Sequence, residues 1–265
     1  MEHSDRQQRF LSDYYRRKRR VDFFRILIVV LFVILWEAAA QARLIDSFIF
    51  SSPLRILKCF CEMLKTGNIL RHIGVTLLET MAGFLLVNGI GILSAVILWY
   101  RKSLAQITEP YLVVLNSLPK SALAPLLIVW LGNNMRTIIV AAVSVAVFGT
   151  IIGIYTGFMG VSAEKVKLIY TFRGTKKDVL MKVIIPGTVP LIISTMKVNI
   201  GLSLVGVIIG EFLAAKEGLG YLIIYGTQVF KLDMVMMSIL VLCIISGLLY
   251  KIISIFEKNM KNTGI

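Results

Sequence analysis

Histidine and cysteine are scarce in this chain, which has two of the first, His3 and His72, and three of the second, Cys59, Cys61 and Cys243, in 265 residues. A structural zinc site needs a C-x2-C pair or wider with a second pair elsewhere, and a disulfide framework needs an even, spaced set. Neither can be built from these positions, and the cysteines read as plain thiols. The two isolated histidines leave almost nothing for a metal or acid–base centre, which excludes most integral membrane enzymes. A phosphate-binding loop is missing too. Gly174-Thr175-Lys176 has Ile169 where G-x4-G-K-[ST] needs its first glycine, and no strand precedes it, so the chain holds no ATP site.

Charge is also thin, at 17% of residues, whereas 57% are apolar and the mean hydropathy is +0.81. A soluble domain carries about 25% charged residues, so this composition belongs in a bilayer. Acidic residues number 15 against 29 basic, a formal net charge of +14. The basic residues gather in the first 20 positions and between apolar runs, without the aromatic-and-basic interleaving of a nucleic-acid surface. Their electrostatic partner is anionic membrane lipid, and no nucleic-acid partner is expected.

Six apolar runs are long enough to cross about 30 Å of hydrocarbon at ~1.5 Å per residue. They fall at 23–40, 75–99, 108–131, 137–160, 188–214 and 234–255. The first follows Arg16-Arg17-Lys18-Arg19-Arg20 and runs through Trp36 and Glu37, longer than a signal-peptide core, so it reads as a retained span with a cytoplasmic amino terminus. That orientation puts 18 basic residues on cytoplasmic segments and 8 on external ones. The chain then divides into a basic cytoplasmic segment at 1–22, a transmembrane domain at 23–255 with a cytoplasmic loop at about 161–187, and a cytoplasmic tail at 256–265. Between the first two spans, Ser52-Pro53 and the apolar spacing after it predict a helix, either lying on the outer membrane surface or, as the preferred reading, packed as a loop helix with no role in transport.

Two segments depart from plain spans. In EPYLVVLNSLPKSALAPLLIVWLG, Pro110, Pro119 and Pro125 each remove an amide, and a broken helix at membrane depth survives only against protein or a water-filled path. Asn116 and Lys120, four apart on one face, are candidates for lining such a path or for a structural hydrogen bond. The stretch Ala163 to Pro190 is basic and amphipathic, unlike a short connector. Leu168, Phe172, Val179 and Leu180 offer apolar knobs among Lys165, Lys167, Arg173, Lys176, Lys177 and Lys182, the layout of a helix docked in a groove or lying on anionic lipid. Glu211, after Gly201, Gly206 and Gly210, is an ionisable group that must face water in the pathway or be paired, with Lys197 or Lys120 as the candidate partners. Glu79, Asn88 and Asn199 are weaker candidates of the same kind.

The ordered segments Ser117–Gly132 (SLPKSALAPLLIVWLG), Val183–Pro190 (VIIPGTVP) and Gly210–Ile223 (GEFLAAKEGLGYLI) resemble the permease subunit of ATP-binding-cassette (ABC) importers, in the branch handling nitrate, sulfonates, taurine and related small solutes. The similarity runs from about Leu35 to the end of the last span. It implies an all-α polytopic membrane protein of about six transmembrane helices, like a type I ABC importer permease, that performs no covalent chemistry. ATP and magnesium would be bound by a partner ABC ATPase subunit, with no cofactor in this chain. The other implied partners are an extracytoplasmic solute-binding protein and a second permease copy.

In that family the cytoplasmic loop carries E-A-A-x3-G and forms a coupling helix on the ATPase. Aligned on V-I-I-P, Lys167, Leu168 and Ile169 replace the triplet, Arg173 stands at the glycine, and Gly174 is the following small residue. The coupling set is Lys167, Leu168, Phe172, Arg173, Gly174, Thr175, Lys176, Lys177 and Leu180, and the pathway set joins Asn116 and Lys120, read from the broken span, to Glu211, where the resemblance implies a recurring glutamate. Lys120 points to a small anion such as a sulfonate, taurine or nitrate. The alternatives are a vitamin-precursor permease, or a secondary transporter or channel acting alone, for which the sequence shows no convincing repeat.

Overall fold

The computed structural model describes the backbone of residues 2–262 and the side chains of 16–258 apart from 256. Met1, the side chain of His3 and the end of the 256–265 tail lie outside the described residues. The chain is all-helical: α1 (Glu2–Gln41), α2 (Ser47–Phe50), α3 (Pro53–Lys65), α4 (Asn68–Tyr100), α5 (Lys102–Ser117), α6 (Lys120–Leu131), α7 (Met135–Met159), α8 (Ala163–Thr171), α9 (Lys176–Val179), α10 (Ile185–Ala214), α11 (Leu219–Gln228) and α12 (Leu232–Asn262). A π-helical turn, Leu180–Ile184, joins α9 to α10 without a break.

Local chemistry explains the ends. Ser52 caps α3, accepting from the Arg55 amide at 3.4 Å, with Pro53 pre-set at the first helical position. Asn134 caps α7, its Oδ1 accepting from Arg136 N at 2.9 Å and Thr137 N at 3.2 Å. Among the described residues five helices are long and apolar enough to cross a membrane, or six if α5 and α6, bent by 96°, form one span.

That bend corrects the reading of three disruptive prolines. Pro110 and Pro125 lie inside α5 and α6, and only Pro119 breaks the chain, because Leu118 before it is held extended at φ −62°, ψ 139°. The fifth span is also longer than 188–214: helix runs from Lys176 to Ala214, so VIIPGTVP continues a helix and closes no loop.

The centre of the bundle is α7 packed against both α4 and α10, which also touch each other. With lipid outside, such helices associate through close packing and buried hydrogen bonds. A side chain at Gly206 would sit 2.5 Å from the Ala142 Cα, and one at Gly210 would sit 2.9 Å from the Ile138 Cα, so glycine is what allows α10 onto α7. Gly201 faces open space and is no part of that contact. Deeper in the same interface Asn199 Nδ2 donates to Asn88 Oδ1 at 2.8 Å, and Thr150 Oγ1 donates to Asn199 Oδ1 at 3.0 Å. These bonds tie α4, α7 and α10, at about 0.6–1.7 kcal/mol each inside a membrane.

The bundle has two ends. At one lie α3 and the turn into α11; Arg55 there pairs with Asp233 of α12 at 2.8 Å. At the other lie α8 and α9, beside the last turn of α4.

Candidate functional site

At the α8 end the sequence builds a helix, a sharp turn and a second helix. The Gly174 amide donates to the Ile169 carbonyl at 2.9 Å and the Arg173 amide to the Tyr170 carbonyl at 2.9 Å. This double bond pattern ends α8 and requires a left-handed residue at position 173, where Arg173 has φ +59°. The family pattern's glycine aligns there, so its conformational role survives in a residue that bears the strain. Thr175 opens the next helix: its amide donates to Asp178 Oδ2 at 2.9 Å, and the Asp178 amide donates to Thr175 Oγ1 at 3.3 Å.

The candidate coupling residues then separate into two groups. Lys167, Leu168, Phe172, Arg173 and Lys177 are exposed, with Leu168 at 54% and Phe172 at 76%. Val179 and Leu180, expected as knobs for a partner, are instead buried at 0% and 7% in a cluster with Ala95, Ile154, Phe158 and Ile184. The helix that carries them is the start of the long α10 span, and its inner face belongs to this chain's own core. Gly174 is packed against Ile169. Lys176 is turned inward, donating to the Tyr100 carbonyl and standing 4.8 Å from the centre of the Tyr100 ring and 5.6 Å from that of Trp99.

Asn116 and Lys120 do not share one helix face, since the bend at Pro119 lies between them. Lys120 begins α6 and its ammonium donates to the Asn116 carbonyl at the end of α5. A cation at a helix carboxyl end is favourable, and this bond satisfies a carbonyl freed by the break.

Glu211 is 1% exposed, and neither Lys197 nor Lys120 is its partner. Lys197 pairs with Glu257 of α12. Glu211 accepts from Thr76 Oγ1 at 2.7 Å and from the Gly220 amide at 2.5 Å, while Thr76 Oγ1 accepts from the Leu219 amide at 2.8 Å. His72 Nδ1 accepts from the Gly218 amide at 2.9 Å. The carboxylate therefore caps α11, and Gly218, at φ +119°, and Gly220 leave room for it. Glu79 faces the same carboxylate from α4. The spacing of Glu211 before Gly218-Leu219-Gly220 was the available signal, because amides at a glycine-rich helix start call for an acceptor. On α3, outside the spans, burial pushes the Cys59 thiol above its ordinary range, with Asp233 and Glu62 adding to the effect.

Comparison with known proteins agrees with this architecture. Residues 88–261 match the family described as "Binding-protein-dependent transport system inner membrane component". A "Probable ABC transporter permease protein" of Haemophilus influenzae is 30% identical over 226 residues, 85% of this chain and 91% of that one. A "Putative aliphatic sulfonates transport permease protein SsuC" of Bacillus subtilis is 22% identical, covering 92% and 88%. A "Formylaminopyrimidine transport permease protein ThiX" of Halalkalibacterium halodurans is 25% identical, covering 74% and 77%. Among solved structures, an inward-facing MetNI methionine ABC transporter chain superposes with a TM-score of 0.61 at 16% identity, over 74% of this chain and 95% of that one.

Proposed function

The chain belongs to the family of binding-protein-dependent transport system inner membrane components, and from that premise we propose that α8 with Phe172 is the contact through which a partner ATPase drives it. It is the multi-pass permease subunit of an ABC importer and not itself an enzyme. The observation that carries the coupling proposal is the split between neighbouring apolar residues. Leu168 and Phe172 are exposed among Lys167, Arg173 and Lys177, while Val179 and Leu180 anchor the same segment in the bundle. A docked helix needs such a free face, and a lever needs such a root.

On this reading the α8 end and the amino terminus are cytoplasmic, the α3 end meets the solute-binding protein, and two permease copies flank the pathway. ATP-driven closure of the ATPases moves α8, and the rigid spans tilt to open the pathway on the other side. Asn116 and Lys120, at the break between α5 and α6, are the proposed pathway residues, whereas Glu211, enclosed as the cap of α11, is a structural group. The solute is a small anion of the sulfonate class, supported by the Lys120 ammonium at that break and by the sulfonate permease among the relatives. The formylaminopyrimidine permease at similar identity supports the second reading, a vitamin precursor.

Orientation is tested with single cysteines at Lys177 and Lys65 in a chain whose native cysteines are replaced. An impermeant thiol reagent on intact cells should label position 65 alone, and labelling at 177 would contradict the assignment. The anion reading is tested by uptake: Lys120→Met should weaken apparent affinity for a sulfonate that the partner binding protein retains, and unchanged uptake would remove it.

A further inference from the structure

Glu79 and Glu211 are both buried, at 2% and 1% exposure, and they face each other from α4 and α10. Among the described residues neither forms an ion pair. The charges near the pair are committed or stand in solvent: Arg71 pairs with Glu217 at 2.5 Å, and Lys216 is exposed at the rim of a pocket of about 220 Å³ that Glu79 also lines. From α7 this pocket receives only the uncharged Met135 and Ile138, and from the turn before it Asn133 and Asn134. His72, one turn from Thr76, is occupied by the Gly218 amide.

The two carboxyl groups have opposite surroundings. Both oxygens of Glu211 accept hydrogen bonds, one from a hydroxyl and one from an amide at the start of α11, so Glu211 must present lone pairs on both. Glu79 Oε2 has no donor at all. Two adjacent negative charges in an apolar bundle would repel without compensation, and an ionised carboxylate left bare there is strongly disfavoured. A neutral acid tolerates an unbonded carbonyl oxygen far better and supplies the hydrogen that the pair lacks.

We propose that Glu79 and Glu211 form a proton-binding site in which a single proton, carried by Glu79 and donated to the Glu211 carboxylate, fastens α4 to the leading turn of α11. The binding step adds one proton to one carboxylate oxygen and needs no other reactant. A proton suits the site better than a metal cation, because among the described residues no third His, Cys, Asp or Glu joins the pair to complete a coordination shell.

Infrared difference spectroscopy of the full chain in lipid tests this at neutral pH. Wild type minus Glu79→Gln should show the carbonyl band of a protonated carboxylic acid, shifted in deuterated buffer. Glu79→Gln should keep the wild-type unfolding temperature, because an amide N–H replaces the acid O–H, whereas Glu211→Gln should lower it by facing an NH₂ toward a donor. Absence of the band from wild type, or its persistence in Glu79→Gln, overturns the proposal. So does a sodium-dependent rise in unfolding temperature, absent in choline buffer and abolished by Glu79→Gln, which would make the site a metal-cation site. The band is read from wild type, so the test stands even if Glu211→Gln does not fold.

Discussion

Lys176 donates to the main-chain carbonyl of Tyr100 and stands 4.8 Å from the centre of its ring, so the segment after α8 is tied to the last turn of α4. A cation at the carboxyl end of a long helix, over an aromatic face, adds about 1–2 kcal/mol. This makes Lys176 a link between the exposed face of α8 and the central bundle. Lys176→Met should leave ATPase copurification intact while reducing solute-stimulated ATP hydrolysis several-fold. Equal stimulation in the variant and the wild type would show that α4 does not receive the motion through this residue.

Arg173 stands in the left-handed region at φ +59°, a conformation that costs a non-glycine residue roughly 1–2 kcal/mol. Arg173→Gly should raise the unfolding temperature of the purified chain, and Arg173→Val should lower it, since a branched side chain fits that region worst. The same ordering in ATPase affinity is not expected, because Arg173 also presents charge on the exposed face. A fall in thermal stability with glycine would contradict the turn geometry.

Leu180→Ala and Leu168→Ala should behave differently although both remove the same side chain. Leu180 is 7% exposed and its truncation leaves a cavity beside Phe158 and Ile154, costing about 2–5 kcal/mol and lowering the yield of folded protein. Leu168 is 54% exposed, so its loss should leave stability unchanged and weaken ATPase retention. Comparable losses of stability in the two would mean that α8 packs on its own bundle.

That contrast marks where the sequence stopped being legible. Spans were readable because hydrocarbon thickness sets a length that few soluble helices reach, and Ser52-Pro53 announced α3 through local chemistry alone. Helical spacing from Lys176 onward places Val179 and Leu180 on an apolar face, but a face turned to a partner and a face turned to the chain's own core have the same period. Three prolines were visible, yet only the preceding residue's extended backbone decides that Pro119 is the break. Glu211 was recognisable as a costly group, whereas its partners were main-chain amides and a threonine, which no search for opposite charge would find.

The central claim, that α8 transmits ATPase motion, is tested most directly by solute-stimulated ATP turnover of the Phe172→Ala complex in proteoliposomes. An aromatic 76% exposed beside Arg173 can supply about 2 kcal/mol or more to a groove, and its loss leaves the spans untouched. The account predicts a permease that is inserted and stable, an ATPase that still binds nucleotide but copurifies weakly, and stimulation abolished. Normal copurification with normal stimulated turnover would contradict it.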